Sequence, residues 1–466
     1  MRVHFASRTS ALADEAQSSE RAVNCYTEKA PETAKTPLTL IGTPGLKLFG
    51  TIGDGPIRAS HSMGGVWFVV SGADLYSVDP AGTGTLIGSL SAGSNDYQMA
   101  NNLADPQQLF IRAGNFGWIY DGTTLAQITD ADFPGATWVT YADTYFLYGD
   151  PTGNGRWGLS ASLDGTSYDA LDFATAEASS DVLVAGVVDH RDLWLMGEKT
   201  IEVWWDSGNA DFPYERSPQA FMERGCKAKK SVAQDDNTVF WLGDDLIVYQ
   251  ALAYVPTRIS THAVETAIAG YSNTSTAEAF FYTQNGHKFY VLTFAEGTWV
   301  FDAATGLWHE RQSFGLPRWR ASTYINIYDK HLVGDFQNGK VYELDPDTYD
   351  EDGVTIQRRI ISPVLSVEAR RTTMPHLYLD FATGVGLTTG QGSDPQVMLR
   401  WSDDGGDTWS NEHWRSLGKT GAKKTRVHWN RLGQFGDKGR IFELTKSDPV
   451  EFSLLGAHAD LNPGNF

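Results

Sequence analysis

The residues best suited to local chemistry lie at positions 402–409, where the chain reads SDDGGDTW. Ser402, Asp404, Gly406, Thr408 and Trp409 match every defined position of the Asp-box pattern S-x-D-x-G-x-T-W. In such a segment the hydroxyl and carboxylate oxygens accept hydrogen bonds from backbone N–H groups, the glycine can take positive φ, and the tryptophan covers the loop. The pattern therefore predicts a self-capped structural turn. The segment SLDGTSY at 162–168 is a degenerate second copy.

An alternative interpretation of the Asp-box is a glycan-active propeller, either a sialidase-like glycosidase or a lectin. Asp-boxes occur in sialidases, although away from the catalytic centre, and 15 tryptophans offer faces that stack on sugars. However, neither a G-x-x-x-x-G-K-[ST] phosphate loop nor a G-x-S-x-G nucleophile elbow occurs. We therefore predict no catalytic residue and no enzyme activity.

Metal and cofactor sites find no support in the spacing of the ligand residues. The 11 histidines show neither H-x-H nor H-x-x-x-H spacing. The acidic stretch at 345–353 fails the EF-hand pattern, because Tyr349 and Asp350 stand where a ligand and a glycine belong. No metal and no cofactor are expected.

Basic residues are concentrated towards the C-terminal end of the chain. A cluster of basic residues usually lies in a solvated loop or forms salt bridges at a protein interface. Beside aromatic residues such as Trp414 and Trp429, it can also bind phosphate groups. We favour a protein interface. The candidate assembly interface consists of Arg370, Arg371, Lys423, Lys424 and Arg426. A further cluster, RGCKAKK, lies at 224–230.

Composition narrows the class of protein. The 466 residues are 41% hydrophobic, carry a formal net charge of −20 and include only two cysteines, which favours packed cores in a reducing compartment. No apolar stretch approaches the ~18 residues of a membrane helix, and the first 20 residues lack the apolar run of a secretory signal. Positions 1–354 hold 23 basic and 45 acidic residues (net −22), whereas 355–466 hold 14 and 12 (net +2). An acidic body of this size disfavours a sequence-reading DNA binder.

The elements that must position these residues are hairpins. Seven aromatic or β-branched runs begin at positions 66, 109, 145, 193, 239, 289 and 331, and a partner run follows each one after a glycine-bearing segment. Their spacing of 36 to 50 residues is that of four-stranded propeller blades. The sequence predicts an all-β protein with a β-propeller of six or seven blades, and a pair of β-sandwiches is the alternative.

Three regions follow from this pattern. Residues 1–50, with Pro31, Pro37 and Pro44, are expected to form an extended arm that must lie on another part of a protein to be ordered, and residues 51–354 the propeller. From residue 355 longer alternating runs predict a C-terminal antiparallel β domain, a sandwich or barrel, up to residue 466. The boundary is placed in the acidic stretch at 345–353.

Several segments resemble the packaged-DNA stabilization proteins of short-tailed phages, also called tail accessory, tail hub or nozzle proteins. The resemblance runs from about residue 21 to residue 456. It is carried by RAVNCYTE at 21–28, TPGL at 43–46, KTIEVW at 199–204, ISPVL at 361–365, LYLD at 377–380, the turn at 402–409, VHWNRLGQ at 427–434 and LTKSDPV at 444–450.

This resemblance implies a virion structural protein made in the host cytoplasm. Members of the family form a homo-hexameric ring below the portal and its adaptor ring, prolong the channel for double-stranded DNA, retain the packaged genome without reading its sequence, and carry tailspikes or fibres. They combine a β-propeller with an antiparallel β platform. The resemblance does not extend to residues 1–20.

Overall fold

A computed structural model describes residues 2–3, 5, 7–11, 18–31, 33, 36–90, 96–153, 155–176, 181–368 and 370–464. Five strands precede the first propeller blade. They are β1 (Arg2–Val3), β2 (Arg21–Val23), β3 (Cys25–Lys29), β4 (Leu38–Gly42) and β5 (Gly45–Thr51).

Seven four-stranded blades follow among the described residues. Blade 1 consists of β6 (Ile57–Met63), β7 (Val66–Ser71), β8 (Asp74–Val78) and β9 (Gly84–Ser89), and blade 2 of β10 (Tyr97–Asn101), β11 (Leu109–Ala113), β12 (Phe116–Tyr120) and β13 (Leu125–Gln127). Blade 3 consists of β14 (Val139–Ala142), β15 (Tyr145–Gly149), β16 (Arg156–Ala161) and β17 (Asp164–Thr175). Blade 4 consists of β18 (Leu183–Asp189), β19 (Asp192–Gly197), β20 (Ile201–Asp206) and β21 (Tyr214–Met222).

Blade 5 follows a 3₁₀ turn at Lys229–Ser231, and the helix α1 (His262–Ala269) connects it to blade 6. Blade 5 consists of β22 (Ala233–Asp235), β23 (Thr238–Leu242), β24 (Val248–Leu252) and β25 (Val255–Arg258). Blade 6 consists of β26 (Glu278–Gln284), β27 (His287–Thr293), β28 (Thr298–Asp302) and β29 (Leu307–Arg311). Blade 7 consists of β30 (Ala321–Ile327), β31 (Lys330–Asp335) and β32 (Lys340–Asp345), and β5 is its fourth strand.

The blades close into a ring. The first strands of successive blades contact one another around the axis, with the 3₁₀ turn bridging blades 4 and 5, and β30 returns to β6. An apolar cluster fills each of the seven gaps between neighbouring blades. Middle strands such as β11 and β23 are buried at every position, because a blade is covered on both faces. This is why they are continuous apolar runs.

Strand β5 completes the last blade. It pairs antiparallel with β32, Leu46 opposite Leu344, so a strand from the beginning of the chain seals the ring at its end. Short strands β33 (Asp350–Glu351) and β34 (Val354–Thr355) extend the same sheet.

The C-terminal domain is a β-sandwich. Its further strands are β35 (Arg358–Ile361), β36 (Thr372–Phe381), β37 (Gln396–Ser402), β38 (His413–Ser416), β39 (Val427–Asn430), β40 (Gln434–Phe435), β41 (Ile441–Lys446) and β42 (Ser453–Pro463). One sheet has the order β3-β4-β42-β36-β39, and the other runs β2-β35-β41-β37-β38. Leu377, Leu399, Phe442 and Leu444 lie in the core that the two sheets share.

The two domains share one sheet. Strand β2 pairs parallel with β29 of blade 6, Val23 opposite Glu310, and antiparallel with β35 of the sandwich. Blade 6 thereby continues into a nine-stranded sheet. This shared sheet couples propeller and sandwich through backbone hydrogen bonds.

The all-β prediction and the propeller are confirmed, and the seven predicted hairpins are the second and third strands of the seven blades. The described residues of the segment 1–50 include extended strands that pair with both domains. Strands β2 to β4 belong to the sandwich and β5 belongs to blade 7, since burial of residues such as Ala22, Cys25 and Tyr26 requires partners on both domains.

Candidate assembly site

The Asp-box turn follows β37 and is held by its own side chains. The Ser402 hydroxyl donates to Asp404 Oδ1 over 2.7 Å and accepts the Gly406 N–H over 2.9 Å. Asp404 Oδ1 also accepts the Thr408 N–H over 2.9 Å, and the Thr408 hydroxyl donates to Asp404 Oδ2. Hydrogen bonds from Ser402 and Thr408 lower the pKa of Asp404 to about 2. Gly406 has a φ of 102°, which only glycine adopts readily.

Two arginines fasten this turn to the sandwich. Arg440, with a side chain only 1% exposed, bonds both carboxylate oxygens of Asp403 over 2.6 and 2.7 Å. The Arg400 guanidinium lies 4.8 Å from the centre of the Trp409 ring. The polar groups of the turn are therefore engaged inside the domain, which fits a structural role.

The second, degenerate copy lies in the hairpin that joins β16 to β17. Asp164 Oδ1 accepts the N–H and the hydroxyl of Thr166, over 2.9 and 2.7 Å. Leu163 takes a φ of 59° at this turn. It caps a blade hairpin with the same chemistry, one domain away from the first copy.

The five basic residues of the candidate assembly interface fall into two groups. Arg370 and Arg371 precede β36, and the Arg371 carbonyl accepts the Gly464 N–H. Lys423, Lys424 and Arg426 lie in the loop before β39, where the Lys423 carbonyl accepts the Thr383 hydroxyl just beyond the end of β36.

The two groups are consequently at opposite ends of the ten-residue strand β36, about 30 Å apart at ~3.3 Å per residue. Arg371, Lys423, Lys424 and Arg426 are exposed, and Arg370 pairs with Glu368 over 3.2 Å. The structure does not bring the five into one patch. The sandwich presents a basic group at each end instead.

The cluster at 224–230 has a different environment. Lys229 and Lys230 reach Asp96 and Glu278 over 2.9 and 3.3 Å, so they point towards the propeller axis. The sequence shows the charge of these lysines but does not indicate their partners, because Asp96 is more than 130 positions away from Lys229.

The joint between the domains was not predicted as a site. There Arg21 of β2 pairs with Glu310 of β29 over 2.6 Å, and the buried Arg311 lies 3.6 Å from the Trp319 ring centre. Burial lowers the pKa of Arg311, and the nearby charge of Glu351 opposes that shift. The only sequence signal is the RAVNCYTE segment itself.

His287 forms a further contact across the joint. Its Nδ1 lies 2.8 Å from Asp302 of β28, and its Nε2 lies 2.8 Å from Glu28 of β3. Burial acts to lower the pKa of His287, but the bonds to the two carboxylates outweigh it and raise the pKa. Beside it, burial and the charges of Arg311 and His287 lower the pKa of His309 to about 3.

Metal-ligand clusters and membrane-spanning helices are absent from the part of the chain that the structure describes. No group of three or more His, Cys, Asp or Glu residues is arranged to hold a metal ion there. Within the same residues no helix is long and apolar enough to cross a membrane. Cys25 and Cys226 are both free and buried.

Comparison with solved structures finds several distant similarities. BamB from Moraxella catarrhalis is 11% identical, with a TM-score of 0.40 over 73% of this chain and 97% of that one. An inactive virginiamycin B lyase from Staphylococcus aureus is 8% identical, with a TM-score of 0.42 over 68% and 98%. The extracellular domain of a hybrid two-component system, BT4673 from B. thetaiotaomicron, is 12% identical, with a TM-score of 0.45 over 85% and 56%. These values are too low to bear on function.

Family models are more informative. No curated protein matches the chain, but a model described as the β-propeller of bacteriophage P22 Gp10 matches residues 21–349. A second, described as the β-sandwich of the same protein, matches residues 357–462. The first range holds the propeller together with β2 to β4, the second holds the sandwich strands from β35 onwards, and together they cover most of the chain. The chain therefore belongs to the bacteriophage P22 Gp10 family, the phage tail structural proteins that stabilise packaged DNA.

Proposed function

We propose that this protein is the subunit of a homo-hexameric ring, the hub or nozzle of a short phage tail. In this role the ring lies below the portal and its adaptor, extends the channel for double-stranded DNA, retains the packaged genome and supports tailspikes or fibres. The observation that carries the proposal is the family match over both domains. The chain is made in the host cytoplasm and then becomes part of the virion.

The shared sheet supports a mechanical role. A subunit that resists the pressure of packaged DNA must keep its domains in fixed orientation, and strand pairing from blade 6 into the sandwich provides that connection. A closed ring of such subunits would leave DNA no side exit. Retention then follows from geometry and needs no reaction.

The charge distribution supports a channel of low adhesion. Residues 1–354 carry a net charge of −22, and a wall lined with carboxylates repels phosphate groups and lets a duplex slide. A structure of the assembled ring tests this part directly. A channel wall rich in lysine and arginine would contradict it.

Negative-stain imaging and native mass spectrometry of the purified full-length chain, alone and with the adaptor, test the proposal. We expect sixfold rings. A protein that stays monomeric under both conditions would argue against the hub. A panel of fluorogenic glycosides serves as the parallel assay, since turnover would favour the alternative of a glycan-active propeller, for which the engaged polar groups of the Asp-box offer no support.

A further inference from the structure

A cavity opens at the propeller axis, at the end where the first strands of the blades begin. It has a volume of about 400 Å³ and adjoins a second cavity of about 270 Å³. The two share Lys229, Lys230 and Glu278 in their linings. Strands from blades 1, 2, 6 and 7 and the 3₁₀ turn before blade 5 converge on this axial pocket.

The ionisable lining of the axial pocket is cationic. Arg58, Arg112, Lys229 and Lys230 face the two carboxylates Asp96 and Glu278, a net charge of +2 from four cations and two anions. The surrounding segment 1–354 has a net charge of −22. A positive recess in so acidic a domain is not a consequence of composition.

Each carboxylate in the pocket already serves two cations. Asp96 lies 2.5 Å from Arg112 and 2.9 Å from Lys229. Glu278 lies 3.3 Å from Lys230 and 3.8 Å from Arg318, a residue that precedes β30. The described lining of the pocket thus holds more cations than carboxylates.

Burial makes this excess costly. The side chain of Arg112 is 1% exposed and that of Lys229 is 25% exposed. Burial lowers the pKa of Lys229, and the neighbouring charge of Arg112 lowers it further. Tyr97, which is 2% exposed and lines the same cavity, has no hydrogen-bond partner for its hydroxyl among the described residues. An anion that accepts hydrogen bonds would compensate both the charge and the unpaired donor.

We propose that the axial pocket binds a compact oxyanion, a phosphate or carboxylate group, between Lys229, Lys230, Arg58 and the Tyr97 hydroxyl. The pocket has room for such a group and is too small for a DNA duplex. This site is independent of the proposed ring, so its failure would leave the tail-hub proposal untouched.

Calorimetric titration of the full-length protein with inorganic phosphate and with succinate, at matched ionic strength, tests the site. We expect saturable binding of at least one probe. Binding of phosphate but not succinate would identify a phosphoryl ligand, and binding of succinate but not phosphate would identify a carboxylate ligand. Lys230→Gln is expected to weaken binding about tenfold. Glu278→Gln, which removes a competing charge without loss of volume, is expected to tighten it.

Lys288→Gln is the matched control. Lys288 pairs with Asp235 over 2.8 Å at the opposite end of the first strands, and its side chain is 36% exposed compared with 27% for Lys230. This variant should bind like the wild type. Absence of saturable binding by both probes, equal affinity in all three variants, or displacement of phosphate by a short DNA duplex would each overturn the proposal.

Discussion

Buried arginines hold the loops of this protein to its sheets. Arg440 bridges the Asp-box turn and the carbonyl of Leu432, to which it donates over 2.6 Å. Arg311 and Arg358 are both 1% exposed and lie where the N-terminal strands meet the propeller. Because a buried guanidinium is costly without partners, each of these side chains makes its loop difficult to move.

Removing one of these anchors should loosen the sandwich. Arg440→Met leaves the Leu432 carbonyl and Asp403 without their donor, and we expect a loss of about 2–4 kcal/mol, seen as a lower midpoint of thermal unfolding. The exposed Lys438→Met, two positions away, should change stability by less than about 0.5 kcal/mol. Equal unfolding midpoints for the two variants would show that the Arg440–Asp403 ion pair contributes nothing to stability.

At the scale of elements, the N-terminal strands determine how the protein is connected. Strands β2 and β3 attach the sandwich to blade 6, and β5 seals blade 7. Gly45 of β5 packs so closely on the backbone of Thr348 that a side chain there would overlap it. These strands are few, but each joins parts of the chain that are hundreds of residues apart.

The role of β5 in closing the propeller can be tested with substitutions in this strand. Leu46 is fully buried and Leu48 is 42% exposed in the same strand. Leu46→Ala should cost about 2–5 kcal/mol and make the propeller more sensitive to limited proteolysis, because it opens a cavity at the closing strand. Leu48→Ala should remain within about 0.5 kcal/mol of the wild type; the reverse order of the two effects would refute the assigned strand.

The joint should also respond to pH. The raised pKa of His287 means that the folded protein binds its proton more tightly than the unfolded chain does, so the stabilisation is complete below the unfolded pKa of ~6.5. It is lost as pH rises through the folded pKa. The difference in unfolding midpoint between wild type and His287→Gln should therefore shrink as the pH rises above about 6.5.

His262→Gln, on the exposed side of α1, is the control for that series. Its midpoint should follow the wild-type pH profile. A gap between wild type and His287→Gln that grows with pH would mean that the imidazole does not act through Glu28 and Asp302.

At the scale of the whole molecule, an acidic propeller and a slightly basic sandwich form one body. Net charges of −22 for 1–354 and +2 for 355–466 leave the sandwich as the part best suited to meet another acidic surface. Its basic groups stand at the two ends of β36. An assembly surface at each end would fit the proposed ring subunit, which meets a different neighbour on each side.

Charge reversal separates these two ends. We expect Arg370→Glu with Arg371→Glu, and Lys423→Glu with Lys424→Glu, each to weaken ring formation or adaptor docking while the unfolding midpoint stays close to that of the wild type. Native gels and sedimentation measure assembly. Unchanged assembly in both double variants would remove the sandwich as the assembly surface.

Local patterns in the sequence predicted much of the fold. The seven hairpins lie where the apolar runs indicate, because a blade's middle strands are buried on both faces and their residues show it without any partner in view. The alternating strands of the C-terminal domain and the Asp-box turn are equally local. Each depends on residues within about ten positions of one another, where side-chain type alone restricts the backbone.

Tertiary structure alone decided how these elements are joined. Folding brings together Val23 and Glu310, Leu46 and Leu344, and Lys229 and Asp96. It also separates Arg370 from Lys423. No local pattern encodes such distances, because the free energy that selects them comes from burying complementary surfaces of the complete chain. For this reason the strands near the beginning of the chain lie in three different sheets, and Lys229 and Lys230 line a pocket.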